Sequence, residues 1–391
     1  MAGRKAAVAA WVAIAVVCLV YGPMAIEYMW RFFTPHAPQL WNTAFAGVVG
    51  TRMAEGVGSV HLEQQRVYAD SRWLLLAHTI GGGVAILLAI AQFSQRLRTR
   101  RPALHRHLGR IQVGIVVVSM LTAMGYLLRT GPHDTFDGPA FYVQLWALAL
   151  GTLASTLLAV AAIVRRQIRM HQMLMAYSFA LLLTAPLLRV EYLVLGVAWP
   201  DRTQQVTNLA GAATLQALAI GGAIVASRRL DTRRPGPAHT KIAIPMAVPR
   251  VIWSAGIVLT IAVAVEFDRL VGGFDRVIAA FLVATLGALT VFTVLRARAR
   301  SAGNDLAAAE WQVHQLAIVA SPLAFVLVWP LYTLFWDAAQ GFYGALLTAS
   351  ALSMSIGYLI VTWNRRNHAP QAPPRASATT IEATTLSPLS S

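Results

Sequence analysis

Apolar residues come in ten long runs separated by shorter polar connections. Each run is close to the roughly 20 residues a helix needs to cross a bilayer. The pattern predicts membrane-spanning helices over Ala6–Tyr28, Trp73–Phe93, Ile111–Leu128, Ala140–Val164, Met173–Val194, Val206–Ala226, Val251–Phe267, Val277–Leu295, Val313–Phe335 and Phe342–Trp363. The fold class is therefore all-α, an integral membrane helical bundle. Residues 1–72 read as a first span with a long outer connection. Residues 73–230 read as a bundle of spans two to six, and 249–366 as a second bundle of spans seven to ten. The stretch His61 to Arg66 reads as helical and as an outward extension of the second span. The tail, 369–391, is rich in Pro, Ser, Thr and Ala and is expected to be disordered. The first span has a basic start but no prompt small-x-small site, since Tyr21-Gly22-Pro23-Met24 follows, so it reads as a retained anchor.

Composition agrees with the runs. Hydrophobic residues make up 57% of the 391 and charged residues only 12%, where a soluble domain carries about 25%. Mean hydropathy is +0.58. The net charge of +16 would suggest nucleic acid in a soluble protein, but here topology accounts for it and no nucleic-acid partner is expected. With the N-terminus placed in the cytoplasm, 23 of the 32 Lys and Arg fall in inner connections and 8 in outer ones, with Arg189 inside the membrane. That bias puts both termini in the cytoplasm. Acids lean outward: only Asp231, Asp305, Glu310 and Glu382 fall inside. The lone cysteine, Cys18, excludes a disulfide framework and a four-cysteine metal site.

A faint internal repeat accompanies the second bundle. Met170-His171-Gln172 opens the fifth span and Val313-His314-Gln315 the ninth, and Ser178 and Ser321 keep the same spacing.

Chemistry on a membrane chain is sought first in its buried polar residues. His78 lies one and a half turns inside the second span from its outer end, and His105 at the inner mouth of the third. His133 lies in the outer turn before the fourth span, and His171 at the inner mouth of the fifth. The four alternate outside and inside, so parallel neighbours bring together His78 with His133 and His105 with His171. Two imidazoles on facing helices are the usual axial pair of a b-type haem. Gly82 and Gly109, one turn beyond His78 and His105, leave room beside two of the rings. Contact with lipid phosphate is the plainer reading for the inner histidines. Arg189 and Glu191 close the fifth span. Two residues apart, they face different directions and are candidates for an ion or an anionic solute. Pro186 loosens the helix before them. No phosphate-binding glycine loop, dinucleotide fingerprint or zinc-protease motif occurs, and no catalytic residue stands out.

Several of these residues carry a resemblance. Residues 74 to 194 resemble a bacterial multi-pass membrane-protein family, the domain-of-unknown-function family twenty-three-oh-six. The features are His78 with Gly81 and Gln92, the Pro102-x-Leu104-His105-Arg106 run closing on Gly109-Arg110, Arg169-x-His171 with Met173 and Met175, and Arg189. The resemblance implies the cytoplasmic (inner) membrane of a bacterium and no particular reaction. A looser likeness is to the transmembrane ascorbate-reducible cytochromes b, which place histidines on four consecutive spans. It implies haem b as cofactor and a quinone or redox partner beside the membrane lipids, although His133 precedes its span instead of lying in it. A haem-associated redox protein is the leading expectation. A transporter or sensor using His78, Arg189 and the outer acids stands beside it, as does an assembly protein with no ligand.

Overall fold

In the computed structural model, which describes residues 2–230, 244–273 and 275–367, the chain is a bundle of long helices. They are α1 (Ala2–Glu27), the short α2 (Leu40–Val49), α3 (Arg72–Gln92), α4 (Pro102–Thr130), α5 (Gly138–Val164), α6 (Ile168–Leu182), α7 (Thr184–Ala198), α8 (Gln204–Leu215), α9 (Gly221–Leu230), α10 (Ala247–Val271), α11 (Arg276–Ser301), α12 (Asp305–Val319), α13 (Ser321–Thr333) and α14 (Ala338–Asn367). Among the described residues nine helical segments are long and apolar enough to cross a membrane, with α6–α7 and α8–α9 each counting as one span. Taking the bent pair α12–α13 as another gives ten. The expected tail, 369–391, and the connection holding Asp231 and Arg234 lie outside the described residues.

Helix ends follow local chemistry. Pro102 opens α4, where a missing N–H costs nothing, and Gly131 ends it with φ of 73°. Asp275 caps α11 by accepting from the Val277 and Ile278 amides at 2.9 and 3.0 Å. Two spans break after one residue each. Pro186 withholds the N–H that the Leu182 carbonyl needs, and the chain passes from α6 to α7 at Leu183. Thr184 at the break donates its hydroxyl to the neighbouring Leu181 carbonyl at 2.6 Å. Pro322 has the same effect at Ala320, where α12 and α13 bend by 40°.

The breaks show where the sequence repeat departs from the structure. Ser178 lies inside α6, bonded to Thr156 at 2.7 Å, whereas Ser321 opens α13. Both serines are buried and meet a hydroxyl of a neighbouring helix, Ser321 that of Ser353 at 3.0 Å, so they differ in their place along the helix and not in the kind of contact.

The bundle has one end crowded with arginines, from Arg96 to Arg110, Arg165 to Arg169 and Arg296 to Arg300, called here the basic end. The opposite end holds most of the acids. Helix α2 and three short helices, Thr51–Glu55, Val60–Glu63 and Gln65–Asp70, fold over this acidic end as a cap. The segment from His61 to Arg66 therefore does not prolong α3. The chain breaks at Gln64 and again at Ser71, because Ser59 caps Val60–Glu63 and side chains stitch the segment sideways. Gln204 accepts from the Val60 amide at 2.9 Å, Gln64 donates to the Asp134 carbonyl at 3.2 Å, and Arg52 donates to the Pro200 carbonyl at 2.6 Å.

Small residues let the spans approach. A Cβ on Gly83 of α3 would stand 2.8 Å from the Gly22 carbonyl oxygen of α1. The largest core cluster joins Phe45 of the cap and Leu188 and Tyr192 of α7 with Phe267 of α10 and Phe342 of α14. Within one span, α8 passes into α9 through a π-helical turn, Gln216–Ile220. Gln216 donates to the Leu346 carbonyl at 2.8 Å and accepts from the Ala351 amide at 2.7 Å, so this buried amide ties the turn to α14.

Candidate functional site

A cavity of about 260 Å³ lies in the acidic-end half of the first bundle, beneath the cap. Its walls come from α1, Trp41 of α2, α3, α4, α5, α6 and α7, and they are mostly apolar. The polar atoms are few and converge, as they do in small-molecule sites. His78 and Arg189 both line it.

Arg189 projects from α7, and its guanidinium lies over two aromatic rings. The centroids of Trp41 and Tyr192 are 5.9 and 5.7 Å from its Cζ. Tyr21, Tyr28 and Tyr68 line the same space. Among the described residues no carboxylate reaches Arg189 as an ion pair. Glu191, two residues on, turns elsewhere and accepts a hydrogen bond from Thr214 of α8. Aromatic faces attract a cation, but each is worth only about 0.5–2 kcal/mol, so they orient the guanidinium without replacing an anion.

His78 is oriented from α4. Its Nδ1 lies 3.0 Å from the Ser119 carbonyl oxygen and 3.1 Å from Ser119 Oγ. Donation to the carbonyl commits the Nδ1 proton and leaves Nε2 as a lone-pair acceptor. Gly81 permits the contact, since its Cβ position is 3.0 Å from Ser119 Cβ.

The other histidines are dispersed. His133 is exposed on the Gly131–Asp134 turn and lines an outer cleft with Glu63, Asp134 and Asp137, not the cavity of His78. The expected haem pair of His78 and His133 is thus not brought into one cavity, because the turn holds His133 exposed at the acidic end. His105 and His171 lie at the basic end within electrostatic reach of each other. His171 Nδ1 is 2.9 Å from the Ala159 carbonyl oxygen, which leaves Nε2 uncommitted. His105 Nδ1, Gln92 Nε2 and Gln112 Oε1 are buried there without a hydrogen-bond partner. The bare face of Gly109 is filled, with Gln92 Oε1 3.5 Å from its Cβ position. These residues suit a ligand held by imidazole and amide groups; the room expected beside His105 is already taken by Gln92.

Residues 75–225 match the family described as a predicted membrane protein, DUF2306. No curated protein and no solved structure matches the chain. The DUF2306 segment runs from α3 into α9 and carries Arg189, His78, Glu191, His105 and His171. Helix α1, the cap and α10 to α14 lie outside it, so part of the Arg189 cavity, Tyr21, Tyr28 and Trp41 included, comes from outside the DUF2306 segment.

Three functional candidates went unread in the sequence. Tyr192 and Trp41 carry no signal in the sequence that sets them apart from the other aromatics of a membrane chain. Asp137 was one outer acid among many. At the Asp137–Gly138 step both residues have positive φ, 59° and 67°, and the Asp137 side chain makes no capping bond to α5. Instead Asn208 of α8 donates from Nδ2 to Asp137 Oδ2 at 2.5 Å, and the Tyr192 hydroxyl donates to Asn208 Oδ1. Burial pushes the Asp137 carboxyl up to about 8, against the opposing pull of the Asn208 hydrogen bond.

Proposed function

We propose that this multi-pass membrane protein binds a small organic anion, a carboxylate with an apolar or aromatic body, in the Arg189 cavity, and that it transports or senses that solute. The observation that carries the reading is a guanidinium at membrane depth that faces a cavity, rests on aromatic rings and has no carboxylate of the protein in ion-pair contact among the described residues. A charge held away from water is strongly disfavoured unless paired. A carboxylate meets guanidinium geometry with two parallel hydrogen bonds. The tyrosines and Trp41 suit an aromatic body, and His78 Nε2 offers an acceptor to a hydroxyl on it.

Benzoate is a suitable probe. Isothermal titration of the full-length protein in nanodiscs should show benzoate binding and no comparable binding of benzyl alcohol. Arg189→Gln should weaken benzoate by roughly tenfold to a hundredfold, the span of a hydrogen bond to a charged group. Equal binding of the acid and the alcohol, or an unchanged affinity in the variant, refutes the reading.

A second reading, haem b at the basic end with a redox role, is supported by the partnerless His105 Nδ1 within electrostatic reach of His171, and it requires Gln92 to leave the Gly109 face that it fills. His171 and His105 would hold the iron, and haem would supply one-electron chemistry. The visible absorption spectrum of the purified protein tests it. A Soret band should vanish in His105→Ala and in His171→Ala and persist in His107→Ala, whose ring is exposed. A flat spectrum from the wild type, or equal loss in all three variants, refutes it.

A further inference from the structure

We infer that Asp137 is a proton-binding site coupled to the Arg189 cavity, and that the chain Asp137–Asn208–Tyr192 makes anion binding take up one proton. The inference rests on the anion-binding reading above.

Geometry places the three residues between two spaces. Asp137 lines the outer cleft, Tyr192 lines the cavity, and Asn208, fully buried, joins them. The Tyr192 ring lies 5.7 Å from the Arg189 Cζ. Asp137 sits at the N-cap position of α5, where an aspartate ordinarily accepts from the first-turn amides, yet its side chain makes no such bond. Its turn takes a left-handed φ, uncommon outside glycine though aspartate is one of the residues that adopt it, and the carboxyl points to Asn208. The charged or titratable groups around it are Glu63 of the cap, His133 and Asp134 of its own turn, and Tyr192 of α7. From α14 comes the neutral Gln340. Among the described residues no cation pairs with Asp137.

The hydrogen-bond inventory sets the coupling. An ionised Asp137 only accepts, so Asn208 must turn Nδ2 toward it and Oδ1 toward Tyr192. The hydroxyl proton of Tyr192 is then spent on Asn208, as the structure records. A protonated Asp137 donates. Asn208 can then turn over, accept from Asp137 through Oδ1 and donate through Nδ2 to the Tyr192 oxygen. That frees the Tyr192 hydroxyl proton for an anion beside Arg189. Neutralising Asp137 also removes a negative charge that opposes an incoming anion. Both effects favour anion binding with the proton on, and the raised carboxyl brings the change into the range a membrane surface meets.

Two measurements on the full-length protein in nanodiscs test this. In isothermal titrations between about pH 6 and 9, benzoate affinity should be flat at low pH and fall roughly tenfold per unit above about 8, the slope of one linked proton. Asp137→Asn should flatten that dependence. Tyr192→Phe should reduce it to the part that the Asp137 charge exerts through space, while ligand-free infrared titration of that variant still shows a buried carboxyl losing its proton near 8. A role for Tyr192 in packing alone would leave the pH slope in place. Benzoate binding with the wild-type slope in Asp137→Asn, or with no slope in the wild type, overturns the coupling and leaves the anion reading standing. Failure of benzoate to bind at every pH overturns the anion reading and this inference with it.

Discussion

Glu310→Ala should cost about 3–5 kcal/mol of stability, the range for removing one partner of a buried ion pair. Glu310 is completely buried at the basic end. Its Oε1 accepts from Arg365 Nε at 2.7 Å and its Oε2 from Arg365 Nη2 at 2.9 Å, and Oε2 also meets Arg228 Nη2. One carboxylate thereby ties α9, α12 and α14 together. Arg228 rests on Trp311, with Cζ 5.3 Å from the ring centroid, and its side chain is only 7% exposed, so it has no easy route to water. Alanine leaves that cation without its carboxylate, and the penalty comes from the stranded charge more than from the lost attraction. Thermal unfolding in detergent should show a large drop for Glu310→Ala and a smaller one for Glu310→Gln, which keeps acceptor geometry on one oxygen. A melting temperature for Glu310→Ala equal to wild type would mean that solvent or lipid phosphate reaches Arg228 after all.

Gly83→Ala should destabilise by about 1–3 kcal/mol, the usual cost of overpacking, and weaken the cavity as well. The new Cβ would lie 2.8 Å from a backbone oxygen of Gly22 and 2.9 Å from Ile26 Cγ1. A backbone carbonyl cannot rotate aside, so α1 must move from α3. Helix α1 carries Tyr21, and Tyr28 just past its end, into the Arg189 cavity, and benzoate affinity should fall together with the melting temperature. Gly47→Ala is the internal comparison. Nothing lies within 4 Å of its Cβ position in α2, and alanine there should be neutral or stabilising by up to about 1 kcal/mol. Equal melting temperatures for the two variants would show that α1 and α3 do not depend on close approach.

What the sequence alone determined is the set of spans and the polar residues that sit in them. Hydropathy is a local property set by the bilayer, so an apolar run long enough to cross can be read without knowing its neighbours. The break at Pro186 was legible for the same reason, because a missing N–H acts within one turn. Arg189 and His78 stood out because each is polar at a depth where few residues are.

Tertiary structure decided what those residues meet. Lipid and protein interior are both apolar, so a spanning helix carries little trace of which face packs against which partner. Trp41 reaches Arg189 only because the cap folds back over the acidic end, and that fold depends on side-chain bonds such as Gln204 to the Val60 amide across 144 positions of chain. The Asn208–Asp137 bond spans 71 positions and joins a turn to the helix α8. His133 looked like a partner for His78 because its place in the alternation was right, but a tight turn holds it on the outer surface. Spacing along a chain states depth in the membrane, whereas the azimuth of each helix and the path of each connection, which bring a site together, are settled by close packing and hydrogen bonds between distant segments.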